Sequence, residues 1–411
     1  MLISSDSVKK LAEYVENRDE VFCSGLFLSA RWMVVSQLDV LGIQLIVLPD
    51  RDSAEYCAAD LYHLIEGDRV YFLPDSGKNL ERSNYKSSLG VQRTSAIGKI
   101  LEYREGEQMI VVTYPSALEE IIPEKGKISG SLLKLVVGEE RSYEEIKEIL
   151  FSSGFERVDF VSEPGQFAVR GALIDIFSYS FNNPFRISFF GDEIESINIF
   201  DANTQLSKEK VDYVDIYPDL SSSEDGEGSM VTDILPEDTL VWLDSSDMYK
   251  DKSFFPELKK FRNIYMELPL SRQDEDAVRF NISPQPVFSK NFELLTEDIR
   301  NKIENGFRVR IYGEKQSQLE RLKSILSQNG GIFPEFVSGS NIHNGFIDND
   351  NKVCCYSDHE IFDRFHRVSI RRTVEKSEQL TINDLTSFAI GDYIVHIDYG
   401  VGVFGGLVRM K

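Results

Sequence analysis

Four short apolar runs in the first 122 residues, EVFCSGLF, IQLIVLP, RVYFLP and QMIVVTY, are separated by stretches with helical patterning. Helix signals begin near Asp6, at Ser29, at Asp52 and near Ser87, and Ser and Asp are good N-caps. Apolar runs that alternate with amphipathic helices pack as βαβ units around a parallel sheet. That rhythm then breaks. SLLKLVVG reads as a strand and Tyr143–Ser153 as a helix, and residues 165–206 carry β-rich runs with no helix between them. Parallel neighbours need long crossovers, so strands joined by turns pair antiparallel. The chain therefore reads as a multidomain α/β protein with an α+β module, an antiparallel meander, inserted into it.

In the meander, VRGALIDIF and FRISFF are rich in Val, Ile and Phe, with a turn at Asn182-Asn183-Pro184. Gly191-Asp192 supplies a second turn and EIESINIF a third strand. Alternate side chains of a strand share a face, so Ile187 and Phe189 point one way, and Arg186, Ser188 and Phe190 the other. An aromatic beside an arginine is a composition that docking surfaces favour. It equally suits a second face buried under another layer, and both readings stand at this point. Asp175, within LIDIF, reads as a hydrogen-bonded strand acid and not as a catalyst.

Beyond the meander, DLSSSEDGEGSM (219–230) is an acidic Gly/Ser-rich linker. TLVWLD and RNIYMEL are strand-like, with a helix expected around Phe254–Phe261. That stretch is small for a domain, and it completes the first sheet if the meander is an insertion. A second α/β block is expected from Val278. Its elements are NFELLTEDIRNKIENG, a helix ending at Gly306, the strand FRVRIYG, the helix EKQSQLERLKSILSQNG, the strand KVCCYS, and a helix opened by DHEIFDRFHR. Residues 373–386 read as a polar linker. In SFAIGDYIVHIDYGVGVFGGLVRMK, Gly400, Gly402, Gly405 and Gly406 suggest a bent β-hairpin at the start of a small barrel that the chain leaves incomplete at Lys411. The expected division is 1–122 and 216–277 as two halves of a first domain, 123–215 inserted, 278–372 as an α/β domain, 373–386 as linker and 387–411 as the barrel's start.

With 411 residues and a formal charge of −23, the chain has material for several cores. It lacks the clustered Lys and Arg of a large phosphate-tracking surface. No signal peptide or membrane-length apolar run is visible, which points to the cytoplasm and to no membrane partner. Cys23, Cys57, Cys354 and Cys355 read as small core hydrophobes, with Cys354 and Cys355 facing opposite ways; neither a disulfide framework nor a metal site is expected. Asn281-Ile282-Ser283 matches a glycosylation sequon without a secretory context.

The segment Gly25 to Trp32 lies after a strand and before a helix, where a P-loop belongs. In G-x-x-x-x-G-K-[ST] the glycines let the backbone close on phosphates, the lysine neutralises them and the hydroxyl holds magnesium. Here Gly25 matches the first glycine, while Ala30, Arg31 and Trp32 stand at the second glycine, the lysine and the hydroxyl. Trp32 cannot ligate magnesium, so productive ATP binding is not expected. By itself the segment reads as an ordinary helix start. Ser76-Gly77-Lys78 lacks the upstream glycine and reads as a turn. No nucleophile elbow, HExxH or paired-carboxylate motif is present, and no catalytic residue is assigned.

The ordered pattern FAVRGALIDIF, NPFRISFFGDEIESI and FDANTQLS resembles the small inserted domain shared by UvrB of bacterial nucleotide-excision repair and the transcription-repair coupling factors. In that family this domain docks UvrA. The positions matching the family's UvrA-contacting residues are Arg170, Arg186 and Phe190, which implies that the arginines pair with acids on UvrA and the phenylalanine anchors. YSDHEIFDRFHR is similar to part of the coupling factors' third domain, and SFAIGDYIVHIDYGVGVFGGL to the start of their CarD-like RNA polymerase-interacting domain. UvrB has neither. The resemblance covers residues 1–411, strongly in 165–206 and 355–405 and weakly in 220–290. Beside it, Gly25–Trp32 looks like a decayed P-loop. For the full-length protein the resemblance implies an ATP-driven DNA translocase that displaces RNA polymerase stalled at lesions. ATP, magnesium and DNA would belong to a motor downstream, no cofactor to this chain, and the UvrA surface would be masked at rest. The alternative is a UvrB-like ATP-dependent DNA-damage-binding enzyme.

Overall fold

The computed structural model describes residues 6–77, 83–124, 126, 132–181, 183–221, 223, 228–268, 277–328, 334–364, 393–396 and 400–403. The expected linker at 373–386, Asn182, Gly405 and Gly406 lie outside them. The chain divides into two compact units, Met1–Ile370 and Arg371–Lys411.

In the first unit the apolar runs become β1 (Glu20–Ser24), β2 (Gly42–Val47), β3 (Val70–Phe72) and β4 (Gln108–Thr113). Helix α1 (Asp6–Asn17) precedes them, α2 (Ala30–Gln37), α3 (Arg51–Leu64) and α4 (Ser83–Glu102) lie between them, and the short α5 (Pro115–Glu119) follows. The third helix starts one residue before the expected Asp52, because Asp50 is the cap: its carboxylate accepts the Ser53 N–H at 2.8 Å. Strand β2 is buried at every position, since helices lie on both faces of the sheet. Helices α1 to α3 share a core with Ile46, Val112 and Trp242 on one face. Helix α4 and the turn Phe255–Leu258 share another with Leu45, Val111 and Val241. That turn is shorter than the helix expected over Phe254–Phe261.

The inserted region adds β5 (Leu133–Val136), β6 (Glu156–Arg157), β7 (Gln166–Arg170), β8 (Leu173–Phe177), β9 (Phe185–Phe190), β10 (Glu193–Phe200), β11 (Ser207–Val211) and β12 (Tyr213–Ile216). Six of them form one sheet in the order β11-β10-β9-β8-β7-β6, antiparallel except for β6 with β7. VRGALIDIF, read from sequence as one strand, is two. Arg170 pairs with Leu173 across a two-residue turn, and Gly171 at φ +59° supplies the backbone hand such a turn requires. The helix Tyr143–Ser152 covers one face, burying Ile146 and Leu150 against Phe167, Ile174, Ile187 and Phe189.

Strands β13 (Leu240–Leu243) and β14 (Arg262–Tyr265) then enter the first sheet between β1 and β2, and β15 (Val278–Arg279) adds outside β1. The complete order is β15-β1-β14-β13-β2-β4-β3, with every neighbouring pair parallel. Val278, expected to open the next block, therefore belongs to this sheet. Arg93 of α4 fastens the insertion's exit. Its buried guanidinium donates to the carbonyls of Pro74, Ala117 and Ser221 at 2.8 Å and of Glu120 at 3.1 Å.

A mixed five-stranded sheet follows, in the order β16-β19-β20-β17-β18. Its strands are β16 (Ile282–Pro284), β17 (Arg308–Gly313), β18 (Glu335–Ser338), β19 (Phe346–Asp348) and β20 (Val353–Ser357). The helix Phe292–Glu304 ends before Gly306, which takes φ +81°. Cys354 and Cys355 do face opposite ways. The first packs under this sheet's own helices and the second in the core shared with the first sheet; all four cysteines are buried free thiols. In the second unit, β21 (Tyr393–His396) and β22 (Gly400–Val403) form an antiparallel hairpin. Among the described residues no helix is long and apolar enough to cross a membrane, and no cluster of metal-ligating side chains occurs.

Candidate functional site

The alternation along β9 is as the sequence implies. Phe185, Ile187 and Phe189 are buried, while Arg186 and Ser188 are half-buried and Phe190 is 79% exposed. That exposure removes the reading of Phe190 as a second-face core residue. The rest of the outer face does carry a small core, Val161, Ala168, Phe177 and Phe200, but it lies at the other end. Across the hairpins, Arg170 shares a row with Leu173 and Ser188, and Phe190 stands two residues further along β9. Two strand spacings across and two residues along put their backbones roughly 12 Å apart. One face thus holds all three residues named by the resemblance.

Both guanidinia already have an acid. Arg186 Nε donates to Asp175 Oδ1 at 2.8 Å and its Nη2 to Oδ2 at 2.9 Å, a bidentate pair. Arg170 Nη2 donates to the same Oδ2. Hydrogen bonding to Asp175 holds the Arg186 guanidinium above its ordinary pKa. Arg186 also reaches the backbone and side-chain oxygens of Gln205, each at 3.4 Å, and lies 4.4 Å from the Phe200 ring centroid. Arg170 lies 4.9 Å from that of Phe160. No sequence signal pointed to Phe160 or Gln205. Asp175 did carry one, since an acid inside an apolar strand must find donors.

The loop after β1 is arranged differently from a phosphate cradle. Gly25 takes φ +70°, and a Cβ there would sit 2.2 Å from the Phe280 carbonyl oxygen. The Phe280 N–H donates to Ser24 O at 2.8 Å, so the chain after β15 lies directly against the glycine. Ala30 opens α2 and is buried, as is Trp32. Arg31 Nη1 donates to Asp244 Oδ2 at 2.5 Å, at the end of β13, and the guanidinium lies 4.7 Å from the Trp32 ring centroid. Asp244, the acid ending LVWLD, is a partner that sequence reading did not pair with Arg31. Ser29 Oγ donates to Asp60 Oδ2 at 2.5 Å and accepts the Asn344 N–H at 2.9 Å. The His343 N–H donates to the other Asp60 oxygen at 2.7 Å. Burial pushes the Asp60 carboxyl up to about 7 against those bonds and against Arg31.

Two family models match this chain. That of the UvrB interaction domain spans residues 133–221, which include Arg170, Arg186 and Phe190. That of the CarD-like/TRCF RID domain spans residues 388–411. The transcription-repair-coupling factor of Borreliella burgdorferi aligns with all of the chain at 21% identity. The chain is related along its whole length to the transcription-repair-coupling factors. The Bacillus subtilis transcription-repair-coupling factor is 31% identical over 40% of the chain, which is 14% of that protein, and the Escherichia coli one is 32% identical over 27%, or 10% of that protein. The chain spans 42% of the length of the B. burgdorferi transcription-repair-coupling factor.

Proposed function

We propose that this chain is the recruitment part of a transcription-repair coupling factor, and that the outer face of its meander docks UvrA. The observation that carries this reading is Phe190. It is a large aromatic left exposed at the end of an otherwise alternating strand, on the same face as two fixed arginines, inside the stretch matched by the UvrB interaction domain. Central aromatics and arginines dominate binding energy at such interfaces.

In this reading residues 1–122 and 216–279 form one domain split around the docking module at 123–215. The chain after β15, to residue 372, is a further α/β domain, and 387–411 begin the part that contacts RNA polymerase. The full-length protein is a cytoplasmic ATP-dependent DNA translocase that displaces stalled polymerase and brings excision repair to the lesion. Its ATP, magnesium and DNA belong to the motor, and this chain carries no catalytic residue. The segment Gly25–Trp32 binds no nucleotide. The carbonyl of Phe280 against Gly25 and the Arg31–Asp244 pair favour that reading over a UvrB-like ATP-dependent damage-binding enzyme.

The test is capture of UvrA by the native chain, Arg186→Ala and Phe190→Ala, with affinities from calorimetry. Truncating an anchoring residue is expected to weaken binding by about 30-fold, or 2 kcal/mol. Equal capture by all three would remove the interface assignment. No capture by the native chain would remove the docking role itself.

A further inference from the structure

Asp175 sits in the middle of the docking face and touches both arginines. Its side chain is fully buried on β8, between Ala168 on β7 and Arg186 on β9. A buried carboxylate is tolerated only with donors around it. Asp175 has three, the Nε and Nη2 of Arg186 and the Nη2 of Arg170.

The two guanidinia are not equivalent. Arg186 is 20% exposed, commits one whole edge to Asp175, turns the rest toward Gln205 and lies against buried Phe200. Arg170 is 35% exposed and gives Asp175 a single nitrogen. It lies over Phe160, which is itself 61% exposed. A guanidinium has five N–H donors in a fixed fork, so Arg170 keeps an outward edge for a second acceptor. Two guanidinia and one carboxylate leave the cluster one net positive charge, which one partner carboxylate neutralises.

Resting on the UvrA reading, we infer that Asp175 is a positioning residue of the docking face. It fixes Arg186 as an inner brace and presents Arg170, on its Phe160 shelf, to a single carboxylate of the partner. Phe160 is then a contact residue together with Phe190, and Arg186 acts through Asp175.

Substituting the acid separates geometry from charge. Asp175→Asn raises the cluster from one positive charge to two, so a face that binds by charge count alone would hold an acidic partner more tightly. Preset geometry requires the opposite. Calorimetry with UvrA is expected to show at least tenfold weaker binding by Asp175→Asn and about tenfold weaker binding by Phe160→Ala. Native binding with equal or tighter binding by Asp175→Asn overturns the positioning role and leaves the docking reading standing. Unchanged binding by Phe160→Ala overturns its contact role. Absence of native binding removes both readings. If thermal melting shows that Asp175→Asn does not fold, Arg170→Gln and Arg186→Gln decide through salt dependence. Arg170→Gln is expected to flatten the decline of affinity with salt, and Arg186→Gln to retain it. Equal flattening by both overturns the inference.

Discussion

Replacing Gly25 by alanine separates a glycine kept for phosphate from one kept for packing. Two costs follow from the geometry. A φ of +70° disfavours any residue with a Cβ, by about 1 kcal/mol. The added methyl would also lie 2.2 Å from the Phe280 carbonyl oxygen, a backbone atom held by its own N–H to Ser24 O. Relieving that overlap means moving β15 off β1 and losing the register Cys23–Val278 and Ser24–Arg279. Overpacking of this kind costs about 1–3 kcal/mol. The sum is about 2–4 kcal/mol.

Both tryptophans, Trp32 and Trp242, lie in the core of the first sheet, so fluorescence in urea reports that region's own transition. With a slope of about 3 kcal/mol per molar, the midpoint should fall by about 1 M. Gly106 supplies the control. Its φ is +93° and a methyl added there would meet nothing within 4 Å, so Gly106→Ala bears only the backbone cost. A Gly25→Ala midpoint no lower than that of Gly106→Ala would refute the packing argument. The same titration with ATP and magnesium tests the loop directly. A ligand at a hundred times its Kd stabilises by about 2.7 kcal/mol, and no such shift is expected.

Other outcomes can be checked on the same protein. Asp60, buried beside Ser29, the His343 N–H, Arg31 and Glu360, has its folded pKa raised to about 7 from 3.8. The folded state therefore holds a proton that the unfolded state releases, and stability from this group falls as pH rises from about 4 to 7. Asp60→Asn should flatten that decline in urea midpoints, by at most about 4 kcal/mol. Arg93→Met should cost about 3–5 kcal/mol in the same assay, since it orphans four carbonyls and leaves Glu120 without its 3.4 Å ion pair; a loss under 1 kcal/mol would contradict the fastening role. Phe190→Ala, at an exposed site, should leave the melting temperature within about 1 °C of native while lowering UvrA affinity.

The faces of β9 were legible because period-2 patterning is local and one side of the sheet is buried. The hairpin at Gly171 was not, because β-forming residues continue on both sides of it and a lone glycine inside a strand run marks a bulge as readily as a turn. Missing that turn hid the cluster, since Asp175 meets Arg170 and Arg186 only once β7, β8 and β9 are in register. Arg31 and Asp244 are 213 positions apart and meet only through the sheet order β1-β14-β13. The two-residue strand β15 is too short to carry a period, so the edge of the first sheet looked like the start of the next block. What was lost in each case is tertiary pairing, which a single sequence encodes only through elements already placed.

In the segment Gly25–Trp32, which follows a strand and leads into a helix as a phosphate loop does, the polar groups are engaged in holding the protein together. A cradle needs N–H groups aimed at an open site and a cation free to neutralise phosphate. Here the Arg31 and Met33 N–H groups donate to the carbonyls of Leu28 and Ser29, each at 3.3 Å. The Arg31 guanidinium is held by Asp244, and the glycine's open side by the Phe280 carbonyl. The Ser29 hydroxyl binds Asp60 and the Asn344 N–H, while the His343 ring stacks on Tyr56 at 3.4 Å between centroids. Residues 343 and 344 belong to the chain of the five-stranded sheet, so the Asn344 bond to Ser29, the His343 N–H bond to Asp60 and the stack on Tyr56 tie that sheet to the start of α2 and to α3 of the first. Restoring a glycine, lysine and threonine at Ala30, Arg31 and Trp32 would therefore strip the Asp244 pair and a buried indole from the fold before it restored any phosphate contact. The same three substitutions that return the motif should cost stability, and nucleotide binding should not follow from them alone.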